Sequence, residues 1–382
     1  MATTVACVVG TRPEAVKMAP IVRRLRRPGS GFEVLVLSTG QHRELLDRAL
    51  ADFEIRVDDD LALMRPGQDL AALTARCLEG LGGWIGRHRP DLVVAQGDTT
   101  SVFAAALACH YRRVPFAHVE AGLRSGRLSE PFPEEANRAL TARLADLHFA
   151  PTAASRENLL REGIPAGRIR VVGNTVIDAL RWIESRPAPL PFEPPTDRMI
   201  LMTSHRRENL GDPLRRACRA VRTLLDRDPG LCVVFPVHPS PPVRAIVDRE
   251  LAGLDRVRRI EPVSYPQFVS LMKASVFILS DSGGVQEEAP ALGRPVLVLR
   301  DRTERPEGVA MGSCRLVGTD PARIVAEAEA ILSGSAPPPH PISPYGDGQA
   351  ADRIALALAE RFGLGDAAGN PAGADTSAGL AA

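Results

Sequence analysis

The chain is predicted to fold as two doubly wound α/β units in tandem. Short apolar runs of strand length recur along its 382 residues, and each is followed by a helix-length segment. A proline-dense stretch, PAPLPFEPPTD at 187–197, divides the series into two sets, because proline cannot continue a helix and stiffens a linker. Composition fits: 45% hydrophobic with 24% charged residues is ordinary for a soluble protein, and the length allows two domains.

The first set opens at 5–9, an apolar strand that turns at Gly10, after which Thr11, Arg12, Pro13 and Glu14 start a helix with proline at a favourable early position. Free amides at a helix start favour anions, so this edge, with Arg12 and Lys17 in reach, is expected to suit a diphosphate. It is not GxGxxG, so the dinucleotide fingerprint is missing. A strand at 34–37 and helices near 43–51 and 69–87 follow. Short strands at 147–150 and 171–175 close the set, with Thr152 capping a helix over about 153–162.

The chemistry is placed in 96–138, QGDTTSVFAAALACHYRRVPFAHVEAGLRSGRLSEPFPEEANR. A buried strand at 92–95 ends on Gly97 and Asp98, and a second at 114–119 ends on Glu120. Between them the small residues 104–108 suit a helix packed closely on a sheet. Glu134 and Glu135 follow in a proline-rich loop. Carboxylates at strand ends stand where open α/β sheets bind ligands, and three of them together can do acid/base work. The plainer alternatives are that Asp98 caps the next helix and that Glu134 and Glu135 are an acidic first turn.

The second set has strands at 199–202, 232–235, 257–260, 276–279 and 296–299. Ser282, Gly283 and Gly284 follow the fourth of these and precede a helix bearing Glu287 and Glu288; glycines there let backbone approach a diphosphate, and a carboxylate one turn in can take ribose hydroxyls. Arg305 adds a cation, or else pairs with a neighbouring glutamate on the surface. His205 ends the first strand beside Arg206, where it can give a proton or bind phosphate, and His238 stands at another strand end. A last helix over about 347–362 is followed by a tail, 363–382, almost without hydrophobes and expected to be disordered.

Several partner classes are disfavoured. Net charge is +1, which points to no nucleic acid or acidic membrane. No apolar run reaches the ~18 residues that span a bilayer, and the N-terminus lacks a signal-peptide pattern, so the expectation is cytoplasmic. Six scattered cysteines without CxxC, and histidines without HExxH, imply buried thiols, no metal and no zinc ribbon. Lys17 and Lys273 are the only lysines among 47 Lys and Arg residues. In so arginine-rich a chain, Lys17 is either a chance survivor or a compact ammonium that arginine cannot replace.

In order, GTRPEAVKMAP, GDTTS, HVEAGLRSG, PFPEEANR, GNTVIDAL, HRREN, DSGGVQEEAP, RDRTERPE and PYGDGQA give a chain that, from about residue 4 to 362, resembles the bacterial non-hydrolysing UDP-N-acetylglucosamine 2-epimerases. The resemblance implies the GT-B fold, two Rossmann-like domains with an interdomain cleft for the nucleotide sugar: residues 1–186 with the helix 347–362 packed back on them, the linker 187–197, and residues 198–346 binding UDP. It implies reversible conversion of UDP-GlcNAc to UDP-ManNAc without a cofactor, by elimination of UDP to 2-acetamidoglucal and re-addition. Asp98, Glu120, Glu134 and His205 match catalytic positions. Arg12, Lys17, Phe268, Ser282, Gly283, Gly284, Glu288 and Arg305 match nucleotide-sugar contacts. Gln41, Arg206 and His238 match a site for a second UDP-GlcNAc that activates many bacterial relatives, although Glu44 and Gly67 depart from regulated ones. A homodimer is also implied. The alternatives are a hydrolysing epimerase that releases ManNAc and UDP, a GT-B glycosyltransferase, and a catalytically silent nucleotide-sugar sensor.

Overall fold

The computed structural model describes residues 2–40, 43–65, 67–206, 209–335 and 340–364. Seven parallel strands form the first sheet: β1 (Thr3–Val9), β2 (Phe32–Ser38), β3 (Asp59–Asp60), β4 (Leu92–Gln96), β5 (Phe116–Val119), β6 (Leu147–Ala150) and β7 (Ile169–Val171). Six form the second: β8 (Arg198–Thr203), β9 (Leu231–Pro236), β10 (Val257–Ile260), β11 (Ser275–Ser280), β12 (Val296–Val298) and β13 (Cys314–Leu316). The spatial orders are β3-β2-β1-β4-β5-β6-β7 and β10-β9-β8-β11-β12-β13. Both are doubly wound, and the order reverses between β1 and β4 in one sheet and between β8 and β11 in the other.

The expected elements are present with shifted edges. The strand expected from 114 starts at Phe116, and that expected at 171–175 ends at Val171, because Asn174 already caps the helix Thr175–Glu184. β3 and β13 were not anticipated: two exposed aspartates carry no apolar signal, and a three-residue edge strand carries little. The last helix begins at Ala350, not 347, after Gly346 and Gly348 adopt positive φ.

Apolar faces decide the packing. The helix Thr100–Arg112 carries Ala104, Ala105, Ala106 and Ala108 fully buried, so it lies close against the sheet and the helix Leu70–His88. One apolar cluster runs from Cys7 and Val36 in the first sheet, through Ile177 and Leu180, to Leu201 and Ile278 in the second. Thr175–Glu184 is therefore a shared pillar between the two units. The final helix, Ala350–Phe362, packs on this pillar and on Arg12–Leu25, with Asp352 ion-paired to Arg24. Residues 187–197 carry no helix or strand, and Leu190 and Phe192 pack on the core. All six cysteines are buried and unbonded to one another.

Candidate active site

Both reversal points place strand ends at the same opening. β1 ends at Val9 before Gly10–Thr11, β4 at Gln96 before Gly97–Asp98, β8 at Thr203 before Ser204–His205, and β11 at Ser280 before Asp281–Ser282. In such sheets that edge is where ligands sit.

A buried ring of charges joins the two units. Lys17 Nζ lies 2.5 Å from Glu120 and 2.9 Å from Glu287, both reached from opposite sheets. Arg305 Nε lies 2.6 Å from Glu287, and its Nη2 3.5 Å from Glu120. Arg305 also pairs with Glu304, which is held by Arg300 at 2.8 Å and faces Arg206 at 3.6 Å. Burial works against the charge on Lys17, but Glu120 and Glu287 together hold its pKa above the ordinary value. Arg305 is likewise held well above its ordinary range against burial, by Glu287, Glu304 and Glu120. Glu304 stays well below its ordinary range because Arg305, Arg300 and Arg206 outweigh burial. Arg305 is thus no surface pair.

Glu120 is set by its backbone as well as by its partners. It takes φ 64 at the end of β5, a conformation a non-glycine residue adopts at a cost of order 1–3 kcal/mol. Gln96 Nε2 donates to it at 2.6 Å, beside Lys17 and Arg305. The following Gly122 is at φ 92, and a Cβ there would meet the Ser155 carbonyl at 2.2 Å.

Asp98 belongs to a neighbouring group. Arg138 Nη2 donates to its Oδ2 at 2.5 Å, and Asn137 Nδ2 to its carbonyl at 2.9 Å. It does not cap the next helix; Thr99 does. Glu134 is half-buried and opens the helix Glu134–Leu144 that carries Asn137 and Arg138; its side chain makes no hydrogen bond to the described residues. Glu135 turns inward and accepts from the Ser125 and Gly126 amides at 3.0 and 3.2 Å.

The anion edge expected at the first helix is closed. Thr11 and Glu14 form a capping box, and Glu14 Oε2 accepts from the Gly10 and Thr11 amides at 2.6 and 2.9 Å. Thr99 donates to Glu14 Oε1 at 2.6 Å. Burial pushes the Glu14 carboxyl up to about 7 despite these bonds. The helix Gly283–Ala291, by contrast, has no side-chain cap at its start. A Cβ on Gly283 would meet Arg305 Nη1 at 2.6 Å, so the missing side chain lets the guanidinium lie over that helix start. The Ser282 amide donates to Ser280 Oγ at 3.0 Å, so it is the Gly283 and Gly284 amides that converge with this cation, the arrangement that holds phosphate oxygens.

Remaining positions fall around this centre. Asp281 accepts from Ser204, the His205 and Arg206 amides and Asn209, and His205 Nδ1 lies 3.2 Å from it. His205 and Asn209 lead the contacts that hold the Asp281 carboxyl well below the usual range against burial. With Nδ1 so engaged, His205 keeps Nε2 for another partner. Tyr265 donates to Glu288, whose carboxyl burial raises to about 7. Burial lowers the Arg12 pKa against the pull of nearby Glu288 and Asp52. Phe268 is half-buried on the helix Tyr265–Ala274. His238 is exposed near His205, and burial followed by that neighbour lowers its pKa. Gln41 lies outside the described residues. Among those described, no group of three or more His, Cys, Asp or Glu side chains is placed to hold a metal ion.

Lys17, Glu120 and Arg305 are thus in direct contact, Gly283 lies under Arg305, and Asp98 and Glu134 share one supporting helix. Sequence reasoning missed Glu14, Arg138, Glu287 and Glu304. Glu287 sits one residue before Glu288, about 100° around the helix, and only the packing shows which of the two meets Lys17. The Thr11-x-x-Glu14 spacing was a readable capping-box signal.

Two Rossmann-like parallel sheets, with carboxylates at the strand ends of one and a helix start without a side-chain cap in the other, define a GT-B protein. The family model for UDP-N-acetylglucosamine 2-epimerase matches residues 24–359. The chain is 49% identical over 366 residues to a UDP-N-acetylglucosamine 2-epimerase of Yersinia pestis, covering 92% of this chain and 97% of that one. It superposes with TM-score 0.90 and 42% identity on the Neisseria meningitidis UDP-GlcNAc 2-epimerase bound to UDP-GlcNAc, over 94% of this chain and 100% of that one. A UDP co-structure of Staphylococcus aureus MnaA matches with TM-score 0.87 and 40% identity, over 95% and 97% of the two chains. The protein belongs to the UDP-N-acetylglucosamine 2-epimerase family.

Proposed function

We propose that the protein interconverts UDP-GlcNAc and UDP-ManNAc by the non-hydrolysing route. The observation that carries this reading is the buried ring in which Lys17 and Glu120 of one unit meet Arg305 and Glu287 of the other at 2.5–3.5 Å, beside the uncapped start of Gly283–Ala291. The second sugar carbon has no adjacent carbonyl, so its proton is not acidic enough for simple deprotonation. A carboxylate takes that proton while the bond from the anomeric carbon to UDP breaks with its electrons, giving 2-acetamidoglucal and UDP. A proton then returns to the opposite face as a UDP oxygen re-attaches at the anomeric carbon.

This asks for proton-handling groups on both faces of the sugar and for positive charge at the leaving diphosphate. Asp98, Glu120, Glu134 and His205 supply the first. Arg12, Lys17, Arg305 and the Ser282–Gly284 loop supply the second, with Phe268 beside the uracil and Glu288 at the ribose. No step requires a cofactor. The same reading extends to residues 1–186 and 198–346 as two domains that close on UDP across the 187–197 linker, and to a homodimer. It also extends to a second, activating UDP-GlcNAc at Gln41, Arg206 and His238. The compartment proposed is the cytoplasm, consistent with six unpaired buried thiols.

Proton NMR of UDP-GlcNAc with the protein in deuterated buffer tests the reaction. UDP-ManNAc with deuterium at the second carbon is expected without added NAD. Free ManNAc as the product would move the assignment to hydrolysis, and binding without turnover would leave a sensor or a transferase lacking its acceptor.

A further inference from the structure

The turn that carries Asp98 is held from every side by other elements. The Gly97 amide donates to the Val119 carbonyl at 3.1 Å, and the Gly97 carbonyl accepts from His118 Nε2 at 2.7 Å. The Asp98 carbonyl accepts from Asn137, and the Thr99 hydroxyl donates to Glu14. The backbone is therefore pinned, and only the carboxylate torsions remain free to vary. Arg138 takes Oδ2 at 2.5 Å, while Oδ1 makes no hydrogen bond among the described residues. The Asp98 side chain keeps 29% of its exposure, against 5% for Arg138.

The arginine itself is poorly satisfied. Its Nε and Nη1 are buried without hydrogen bonds to the described residues, and Nη1 has only an ion pair with Glu135 at 3.4 Å. Burying donors unpaired costs stability, whereas an arginine serving packing alone would settle where its fork is filled. Among the described residues its side-chain hydrogen bond goes to Asp98, with Glu135 as a longer ion-pair partner. Glu134 begins the same helix, three to four residues earlier, so both carboxylates stand on one rigid support.

We infer that Arg138 is a positioning residue: it fixes the Asp98 carboxylate through Oδ2, leaving Oδ1 as the atom that handles the proton, and ties its orientation to Glu134. This rests on Asp98 being a proton-transfer group, as proposed above. Arg138 would touch no substrate, so its loss affects turnover and not binding.

The test is steady-state epimerisation of UDP-GlcNAc by wild type, Arg138→Ala and Arg138→Lys, with and without guanidinium ion. The alanine variant is expected to lose about 100-fold in kcat, as a misplaced catalytic group does, with KM within about twofold. Added guanidinium is expected to restore at least about tenfold, because the vacated space admits a free planar cation. A kcat within about threefold of wild type overturns the inference, as does a loss that guanidinium leaves unchanged while KM rises in step. If the alanine variant does not fold, Arg138→Lys decides: lowered kcat at unchanged KM supports the assignment, and wild-type kcat overturns it. Failure of the wild type to turn over UDP-GlcNAc would instead reject the proposed reaction.

Discussion

Lys17 shows how much one side chain can be asked to do. Its ammonium is buried and sits between Glu120 and Glu287, carboxylates delivered by different sheets. A point charge on an unbranched stem fits between two acids, whereas a planar guanidinium needs room for a fork. The other lysine, Lys273, pairs with Glu184 on the surface at 3.2 Å and has no such constraint. Lys17→Met leaves Glu120 and Glu287 facing one another with only Arg305 between them. Removing one partner from a buried ionic group costs about 3–5 kcal/mol, so this variant is expected to unfold at a clearly lower urea midpoint. Lys17→Arg is expected to recover part of that stability while its kcat/KM stays about 100-fold below wild type. Wild-type turnover in the arginine variant would show that charge alone suffices.

At the scale of elements, the C-terminal helix depends on a cap supplied from elsewhere. Gln349 stands at its N-cap but makes no side-chain bond there. Asp178, on the pillar helix Thr175–Glu184, accepts instead from the Ala350 and Ala351 amides at 3.2 and 2.8 Å. Two orphan donors of Ala350–Phe362 are thereby satisfied across a helix–helix contact. Burial pushes the Asp178 carboxyl up to about 6, so it is ionised, and a full acceptor, at neutral pH. Asp178→Ala is expected to lower stability by about 1–2 kcal/mol, the usual worth of a lost N-cap. Urea denaturation followed by far-UV circular dichroism measures it; an unchanged midpoint would mean that the apolar contacts of Ile354 and Leu358, with the Asp352–Arg24 pair, suffice to dock the helix.

For the whole molecule, two buried imidazoles in the first sheet contribute to acid sensitivity. His118 and His148 are paired residues on β5 and β6, both essentially inaccessible. Burial lowers His118 to about 4 and His148 to about 3, and each imidazolium would also repel the other. A folded-state pKa below the ordinary 6.5 means that the unfolded chain binds protons more readily. Their contribution is therefore intact above pH 6.5 and is lost as pH falls through 6.5 toward about 4 and about 3. Glu14 and Glu288, raised to about 7, work the other way: the folded state holds their protons better, so their ionisation costs stability as pH rises from 4.5 to 7. His148→Leu removes one acid-sensitive group without opening a cavity. Its melting temperature is expected to fall less than that of wild type between pH 6.5 and pH 4.5, a gain of order 1–3 kcal/mol at the acid end. Parallel pH profiles for the two proteins would place the acid sensitivity elsewhere.

What the linear chain determined by itself was local and periodic. Apolar runs of period-free strand type, small-residue helix faces, Thr caps and glycine turns depend on neighbours within a few residues, so both sheets apart from β3 and β13, and about half of the helices, were readable. Carboxylates at strand ends were readable too, because a doubly wound sheet brings its carboxyl edges to one side. Only the tertiary structure decided which charge meets which. Glu287 and not Glu288 reaches Lys17, Glu14 closes the first helix start, and Arg138 takes Asp98 from 40 residues away. The physical reason is that ion pairing in a buried cleft depends on side-chain direction across elements distant in sequence, and one step along a helix turns that direction by about 100°.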